Sequence, residues 1–251
     1  MAHKAGVMIV TGGGRGIGAA TARLAAERGY AVCVNYASDR EAAESVVAGI
    51  RAGGARALAI QGDVSKEADV IRVFDGAVRE LGPLDALVNN AGILEAQMRV
   101  DEMTVERLER VFAVNITGAF LCAREAVRRM STRHGGAGGA IVNVSSMAAR
   151  LGSPGEYVDY AASKGAIDTL TIGLAREVAA EGIRVNAVCP GVIRTEIHAR
   201  GGEPGRVDRV AKAVPMKRGG TPEEVARAIL WLLSGEASYS TGAFIDVSGG
   251  R

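Results

Sequence analysis

The chain has 251 residues, 48% of them hydrophobic, 23% charged and 4% aromatic, with a formal net charge of +2. That length fits one large α/β domain with a substantial core. The mild charge, the absence of aromatic-studded basic stripes and the lack of any run of about 18 apolar residues exclude a nucleic-acid partner and a membrane span.

Cys33, Cys122 and Cys189 sit in apolar stretches, and His3, His134 and His198 are scattered. Reduced core thiols, solvated imidazoles and no metal site are therefore expected, in a cytoplasmic protein. Apolar runs and helix-period segments alternate from end to end. Strands are expected at 6–11, 31–35, 56–61, 85–89, 140–145, 183–188 and 243–247, and helices at 16–28, 40–52, 67–80, 104–131, 157–181 and 222–234. Such alternation builds β-α-β units. The chain is read over 1–251 as a single domain, a doubly wound Rossmann fold with a seven-stranded parallel sheet and helices on both faces.

The first strand runs into Thr-Gly-Gly-Gly-Arg-Gly-Ile-Gly at 11–18. A strand feeding a glycine turn and a helix start aims main-chain N–H groups and the positive end of the helix dipole at one point, which suits a pyrophosphate. Glycines at 12, 16 and 18 do not match G-x-G-x-x-G, but the reason for glycine is the same, since a Cβ would obstruct the phosphates. Asn89-Asn90-Ala91-Gly92 follows the fourth strand, and Asn115 lies within an apolar helix. The fifth strand ends in Ser145-Ser146, where a hydroxyl can hydrogen-bond a carbonyl oxygen, and Ser146 is preferred. Tyr160 and Lys164 are four apart, hence neighbours on one helix face. The ammonium is expected to lower the phenol pKa toward working pH. Pro190-Gly191 follows the sixth strand and opens the irregular stretch 191–220, rich in Gly, Pro and charge. In an open α/β sheet ligands bind outside the carboxyl ends of the strands, so this stretch is a candidate substrate lid. Thr221 and Pro222 read as the N-cap and first residue of the last helix.

Taken together and in this order, these motifs resemble the short-chain dehydrogenase/reductase family over essentially the whole chain, with glucose-dehydrogenase-like and 3-oxoacyl-carrier-protein-reductase-like members closest in kind. The resemblance implies an oxidoreductase that interconverts a ketone and a secondary alcohol by hydride transfer from a nicotinamide cofactor. It implies Tyr160 as general acid/base, Ser146 as the group that holds the carbonyl, Lys164 as the group that tunes Tyr160 and binds the nicotinamide ribose, and Asn115 as holder of a water leading to solvent. Gly12, Gly14, Arg15, Gly16, Ile17 and Gly18 would cradle the phosphates. Asp63 and Val64 would meet the adenine, Asn90, Ala91 and Gly92 the ribose, and Pro190, Gly191, Ile193 and Thr195 the nicotinamide end. Ser146 and Tyr160 are 14 apart, one more than in many relatives. The extra residue falls in 151–159, so Ser153 or Tyr157 could touch substrate.

The second strand ends Val34-Asn35-Tyr36-Ala37-Ser38, with no Asp or Glu at 35–37 to take the ribose hydroxyls. With Arg15 nearby, and Asn35, Ala37 and Ser38 available, this favours NADP, with NAD possible; Asp39 opposes that reading. For substrate, Arg128, Arg129 and Arg133 could form a basic docking edge for an acidic carrier protein, with Glu181 against it. The segments around Asn35 and Tyr157 look like the glucose type, and lid charges Arg194, His198, Arg200 and Arg206 suit a polar substrate. The family commonly forms homotetramers, and apolar residues of helix 104–131 fit such an interface. A non-catalytic dinucleotide sensor and a sugar-nucleotide epimerase are the rival classes; only about 60 residues follow Pro190, few for the epimerase's substrate domain.

Overall fold

A computed structural model describes residues 6–251; His3 lies outside them. Seven strands form one parallel sheet in the order β3-β2-β1-β4-β5-β6-β7. They are β1 (Val7–Val10), β2 (Ala31–Tyr36), β3 (Ala57–Gln61), β4 (Leu84–Asn89), β5 (Gly139–Val144), β6 (Ile183–Pro190) and β7 (Phe244–Val247). The order reverses between β1 and β4, and a crevice forms at such a switch point. All seven expected strands and the doubly wound arrangement are present, with ends shifted by one or two residues.

Strand residues alternate between two cores because successive side chains point to opposite faces. Met8, Val10, Val32 and Val34 pack on α1 (Gly16–Glu27), α2 (Arg40–Ala52) and α10 (Pro222–Leu233) through Ala22, Val46 and Ile229. Val7, Ile9 and Cys33 pack on the other side against α3 (Glu67–Leu81), α5 (Gly118–Met130) and α7 (Val158–Val178), through Phe74, Met130 and Val178. The expected cap of α10 forms as a full capping box: Glu224 N–H donates to Thr221 Oγ1 at 3.4 Å, and Thr221 N–H donates to the Glu224 carboxylate at 2.8 Å.

Two expectations about elements are revised. The single helix expected at 104–131 is split into α4 (Val105–Phe112) and α5 by a π-helical turn at Ala113–Thr117, with Asn115 buried at its centre. Gly118, the first residue of α5, lies so close to Val64 that a Cβ there would fall 2.7 Å from Val64 Cγ2. The stretch 191–220 is less irregular than expected, since it contains α8 (Ile197–Arg200) and α9 (Arg206–Ala211); a further short helix, α6 (Ala148–Leu151), follows β5. The three cysteines are free and buried, and burial pushes the thiols of Cys33 and Cys122 up to about 12 and that of Cys189 to about 11. His134 is exposed, as expected. His198 is not solvated: it is partly buried, within hydrogen-bonding distance of the Ile193 carbonyl (2.9 Å from Nε2), and burial holds its pKa below the ordinary value. No helix of the described residues is long and apolar enough to cross a membrane.

Candidate active site

A cleft of about 790 Å³ opens at the carboxyl ends of the strands. Of the residues expected at the site, all but Gly18 and Asn115 line it. Its floor is the glycine turn. Gly16 has φ +50°, a left-handed conformation that favours glycine, and a Cβ on it would press within 3.1 Å of Thr195 Cγ2. A Cβ on Gly18 would sit 2.4 Å from the Gly12 carbonyl oxygen and 2.7 Å from Asn90 Nδ2. The first turn of α1 has neither a capping side chain nor an acidic residue, so its N–H groups and positive dipole end remain available to an anion. A cradle that only glycine leaves open, at an uncapped helix start, fits a dinucleotide pyrophosphate.

Thr11, not singled out from sequence, bolts the floor together. Its Oγ1 accepts from Asn90 N–H (2.9 Å) and Ala91 N–H (3.0 Å), while Asn90 Nδ2 donates back to the carbonyls of Thr11 (2.8 Å) and Gly12 (3.2 Å). The loops after β1 and β4 are thus one unit. Beside the end of β2, Arg15 pairs with Asp39 at 2.6 Å, and Asp39 also caps α2 by accepting from Ala42 N–H. Ala37 and Ser38 line the wall. The expected use of the Asn35 amide is not met. Asn35 shares the α3-facing side of β2 with Cys33, and its Nδ2 donates to the carbonyls of Gly62 (2.9 Å) and Ile60 (3.4 Å). Asp63 turns its carboxylate onto Ser65 N–H and Oγ, at 3.0 and 2.7 Å.

Tyr160, Ser146 and Lys164 meet where β5 and α7 converge. Lys164 is buried, donates from Nζ to the Val144 carbonyl at 2.8 Å and lies 5.5 Å from the Tyr160 ring centroid. Burial pulls its ammonium down to about 8, with Asp168 and Cys189 pulling the other way. Burial raises the Tyr160 phenol above the ordinary tyrosine value, opposed by the nearby Ser146 hydroxyl and by the charge of Arg206. The depression by Lys164 expected from the spacing is therefore corrected: desolvation sets the direction, and the opposing influences come from Ser146 and Arg206. The adjacent hydroxyl faces elsewhere, as Ser145 Oγ donates to Asp168 Oδ1 at 2.5 Å.

Asn115 stands behind this group and grips the loop after β4: Ile93 N–H donates to its Oδ1 (2.8 Å), and its Nδ2 donates to the Ile93 carbonyl (3.0 Å) and Ser163 Oγ (3.1 Å). Both amide protons are engaged, and a water could be held only by the second lone pair of Oδ1. A Cβ at Gly92 would lie 3.4 Å from Asn115 Oδ1 and 3.7 Å from Lys164 Nζ, so glycine keeps the space between them open.

The opposite wall is built from side chains. Tyr157 is 2% exposed, donates to the Gly201 carbonyl at 3.3 Å and carries the Arg206 guanidinium 4.8 Å over its ring. Arg206 pairs with Glu156 (2.6 Å) and Glu203 (3.2 Å), and Arg209 pairs with the same two carboxylates. These arginines hold the Glu203 carboxyl down at about 2. Arg194 pairs with Asp208 at 3.2 Å. Of the lid charges expected to greet a polar substrate, His198 and Arg200 make no ion pair among the described residues. The expected basic edge is largely neutralised too: Arg128 and Arg129 both pair with buried Glu125, Arg129 also with Asp75, and Arg133 lies 3.9 Å from Glu181.

A parallel doubly wound sheet, an anion cradle at its switch point and a Ser-Tyr-Lys group beside it define a dinucleotide-binding oxidoreductase scaffold. A family model described as enoyl-(acyl carrier protein) reductase matches residues 12–251. The chain is 61% identical over 245 residues to the uncharacterized oxidoreductase YgfF of Escherichia coli, covering 98% of this chain and 99% of that one. It is 40% identical to glucose 1-dehydrogenase 2 of Bacillus subtilis, covering 96% and 93%. Among solved structures, 3-ketoacyl-(acyl-carrier-protein) reductase from Brucella melitensis complexed with NADH superposes with TM-score 0.90 at 33% identity, covering 98% of each chain. A short chain dehydrogenase from Burkholderia cenocepacia in complex with NADP gives 0.89 at 33%, covering 97% of this chain and 96% of that one. The chain belongs to the short-chain dehydrogenase/reductase family.

Proposed function

We propose that the protein is an NADP-dependent oxidoreductase that interconverts a small ketone and its secondary alcohol. The observation that carries this reading is the convergence of the Tyr160 phenol, the Ser146 hydroxyl and the Lys164 ammonium at the inner end of the cleft, beside the anion cradle. The nicotinamide, when bound, supplies or receives the hydride.

The chain's own residues do the rest. Gly12 to Gly18 and the start of α1 bind the pyrophosphate, and Pro190, Gly191, Ile193 and Thr195 border the nicotinamide end. Ser146 Oγ and Tyr160 Oη orient a carbonyl oxygen between them, and the charge that grows there in reduction is stabilised more in the transition state than in the ground state. A phenol kept protonated by burial is suited to donating its proton to that oxygen; in oxidation it accepts one. Lys164 holds a ribose hydroxyl, and Asn115 fixes Ile93 and Ser163 around it. The lack of a carboxylate at 35–37 and the presence of Arg15 support NADP over NAD, with Asp39 weakening the preference. Pairing of Arg128 and Arg129 with Glu125 argues for a free small molecule over a carrier-bound acyl group. The chain acts as one catalytic domain over 1–251, with 191–220 as the substrate lid, and assembles as a homotetramer in the cytoplasm.

The test is oxidation of NADPH and of NADH by the purified protein against 3-oxoacyl thioesters, keto sugars, diketones and cyclic ketones, with oxidation of the corresponding alcohols in reverse. Turnover with NADPH on one group, lost in Tyr160→Phe, is expected. Tight dinucleotide binding with no turnover in either direction would replace the enzyme by a sensor.

A further inference from the structure

Asp159 immediately precedes Tyr160, and its carboxylate is 1% exposed. It meets Arg107 of α4 as a fork, with Nε donating to Oδ2 at 2.7 Å and Nη2 to Oδ1 at 3.4 Å. Asp159 Oδ1 also accepts the Tyr160 main-chain N–H at 2.9 Å, one of the first-turn donors of α7 that no helix carbonyl can satisfy. The third arm of the guanidinium, Nη1, donates to the Ala96 carbonyl at 2.6 Å, in the loop that follows β4. One turn further along α7, Ser163 Oγ donates to the Tyr160 carbonyl at 2.7 Å and accepts from Asn115 Nδ2.

Tyr160 is thus held at both main-chain groups by side chains, and each of those is held in turn from α4 or the π turn behind it. The same two outer residues clamp the loop after β4, Asn115 at Ile93 and Arg107 at Ala96. Neither Arg107 nor Asp159 lines the cleft, so neither touches substrate or cofactor.

We propose that the buried Arg107–Asp159 pair is a positioning device for Tyr160: it fixes the phenol relative to the loop that borders the cleft, and it governs turnover rather than cofactor affinity. The proposal rests on the reading of Tyr160 as general acid/base. Stability alone is a poor account of the pair, because burying two charges is costly and well-packed apolar residues in their place are often neutral or stabilising. What an apolar pair could not supply is the fork that joins Ala96 to the Tyr160 amide. Reaction rates are sensitive to such placement, a displacement of about 1 Å costing on the order of 100-fold.

The test uses the full-length protein with the ketone that the wild type turns over. Arg107→Met combined with Asp159→Leu removes both charges together and leaves neither buried alone. The expected result is a melting temperature within a few degrees of the wild type, an NADPH Kd changed less than about threefold and a kcat lower by roughly 10- to 100-fold. KM should move less than kcat. Asp159→Asn covers the case in which the double variant does not fold, since its amide oxygen still accepts the Tyr160 N–H while the charged fork is lost; kcat is again expected to fall with the NADPH Kd retained. Wild-type kcat in a folded double variant, or in Asp159→Asn, would overturn the proposal and leave the Tyr160 reading intact. A wild-type protein inactive on every carbonyl and alcohol would instead sink the acid/base reading on which the proposal stands.

Discussion

The two walls of the cleft are made of different materials. The cofactor wall is main chain: the glycine turn, the uncapped start of α1 and the amides of Asn90 and Ala91, locked by the buried hydroxyl of Thr11. The opposite wall presents side chains, Tyr157 and Arg206 among them, and Arg206 is backed by a lattice of charges outside the cleft lining, Glu156 and Glu203 against Arg206 and Arg209, with Arg209 half-exposed. Main-chain groups fixed in a parallel sheet have no rotamers to lose, whereas exposed ion pairs are screened by salt and contribute little each. The contrast fits the proposed function, in which one wall holds an invariant cofactor and the other meets a molecule that must enter and leave.

The largest test of the contrast lies where the walls meet. Tyr160→Phe should lower turnover about 1000-fold, within the usual range for a general acid, while NADPH affinity by fluorescence titration stays near the wild-type value. Substantial remaining turnover would remove Tyr160 from the role. Next in size, Gly18→Val strikes the rigid wall alone. With a Cβ 2.4 Å from the Gly12 carbonyl, overpacking of about 1–3 kcal/mol should lower the melting temperature and weaken dinucleotide binding at least about tenfold. A fully bound, stable variant would show that the floor yields.

The pH dependence follows from Lys164. Its pKa is depressed to about 8 while the phenol is raised, so the ammonium is the first of the two to be lost as pH rises. Reductive kcat/KM should fall about fivefold between pH 8 and 9, as deprotonation removes the charge beside the ribose site. A flat profile to pH 10 would exclude Lys164 as the group that sets this limb. Asp39→Asn keeps the cap of α2 but releases Arg15 from its carboxylate; NADPH should bind several-fold more tightly and NADH no better. Smallest of all, Glu156→Gln should raise the ketone KM two- to threefold with kcat and NADPH affinity unchanged, as expected for a partly exposed pair. Equal effects on both ligands would erase the distinction between the walls.

Much of this was legible in the order of residues. Continuous apolar runs and period-3.6 patterns located all seven strands and the main helices, because both faces of a parallel sheet must be apolar. The glycine turn, Asn90, Ser146 and the Tyr160–Lys164 spacing marked the cleft. What escaped was partnership across distance. Arg107 and Asp159 are 52 residues apart and Arg206 reaches Glu156 across the lid, so no local pattern pairs them. The π turn at Asn115 was hidden for the same reason: the amide grips Ile93, which lies 22 residues earlier. Asn35 could have been read correctly, since strand periodicity puts it on the face of Cys33. The Tyr160 phenol was misjudged because a neighbouring cation is visible in sequence and desolvation is not.

The buried thiols give the molecule a built-in set of reporters. Cys33 lies in β2, Cys122 in α5 and Cys189 in β6, so they sample the first half of the sheet, a covering helix and the second half. With thiols pushed up to about 12, 12 and 11, almost none is thiolate at neutral pH, and alkylating reagents find them closed while the fold is intact. Each becomes modifiable when its own element opens, so the order of alkylation under mild denaturant ranks the local stabilities of three regions without any engineered label.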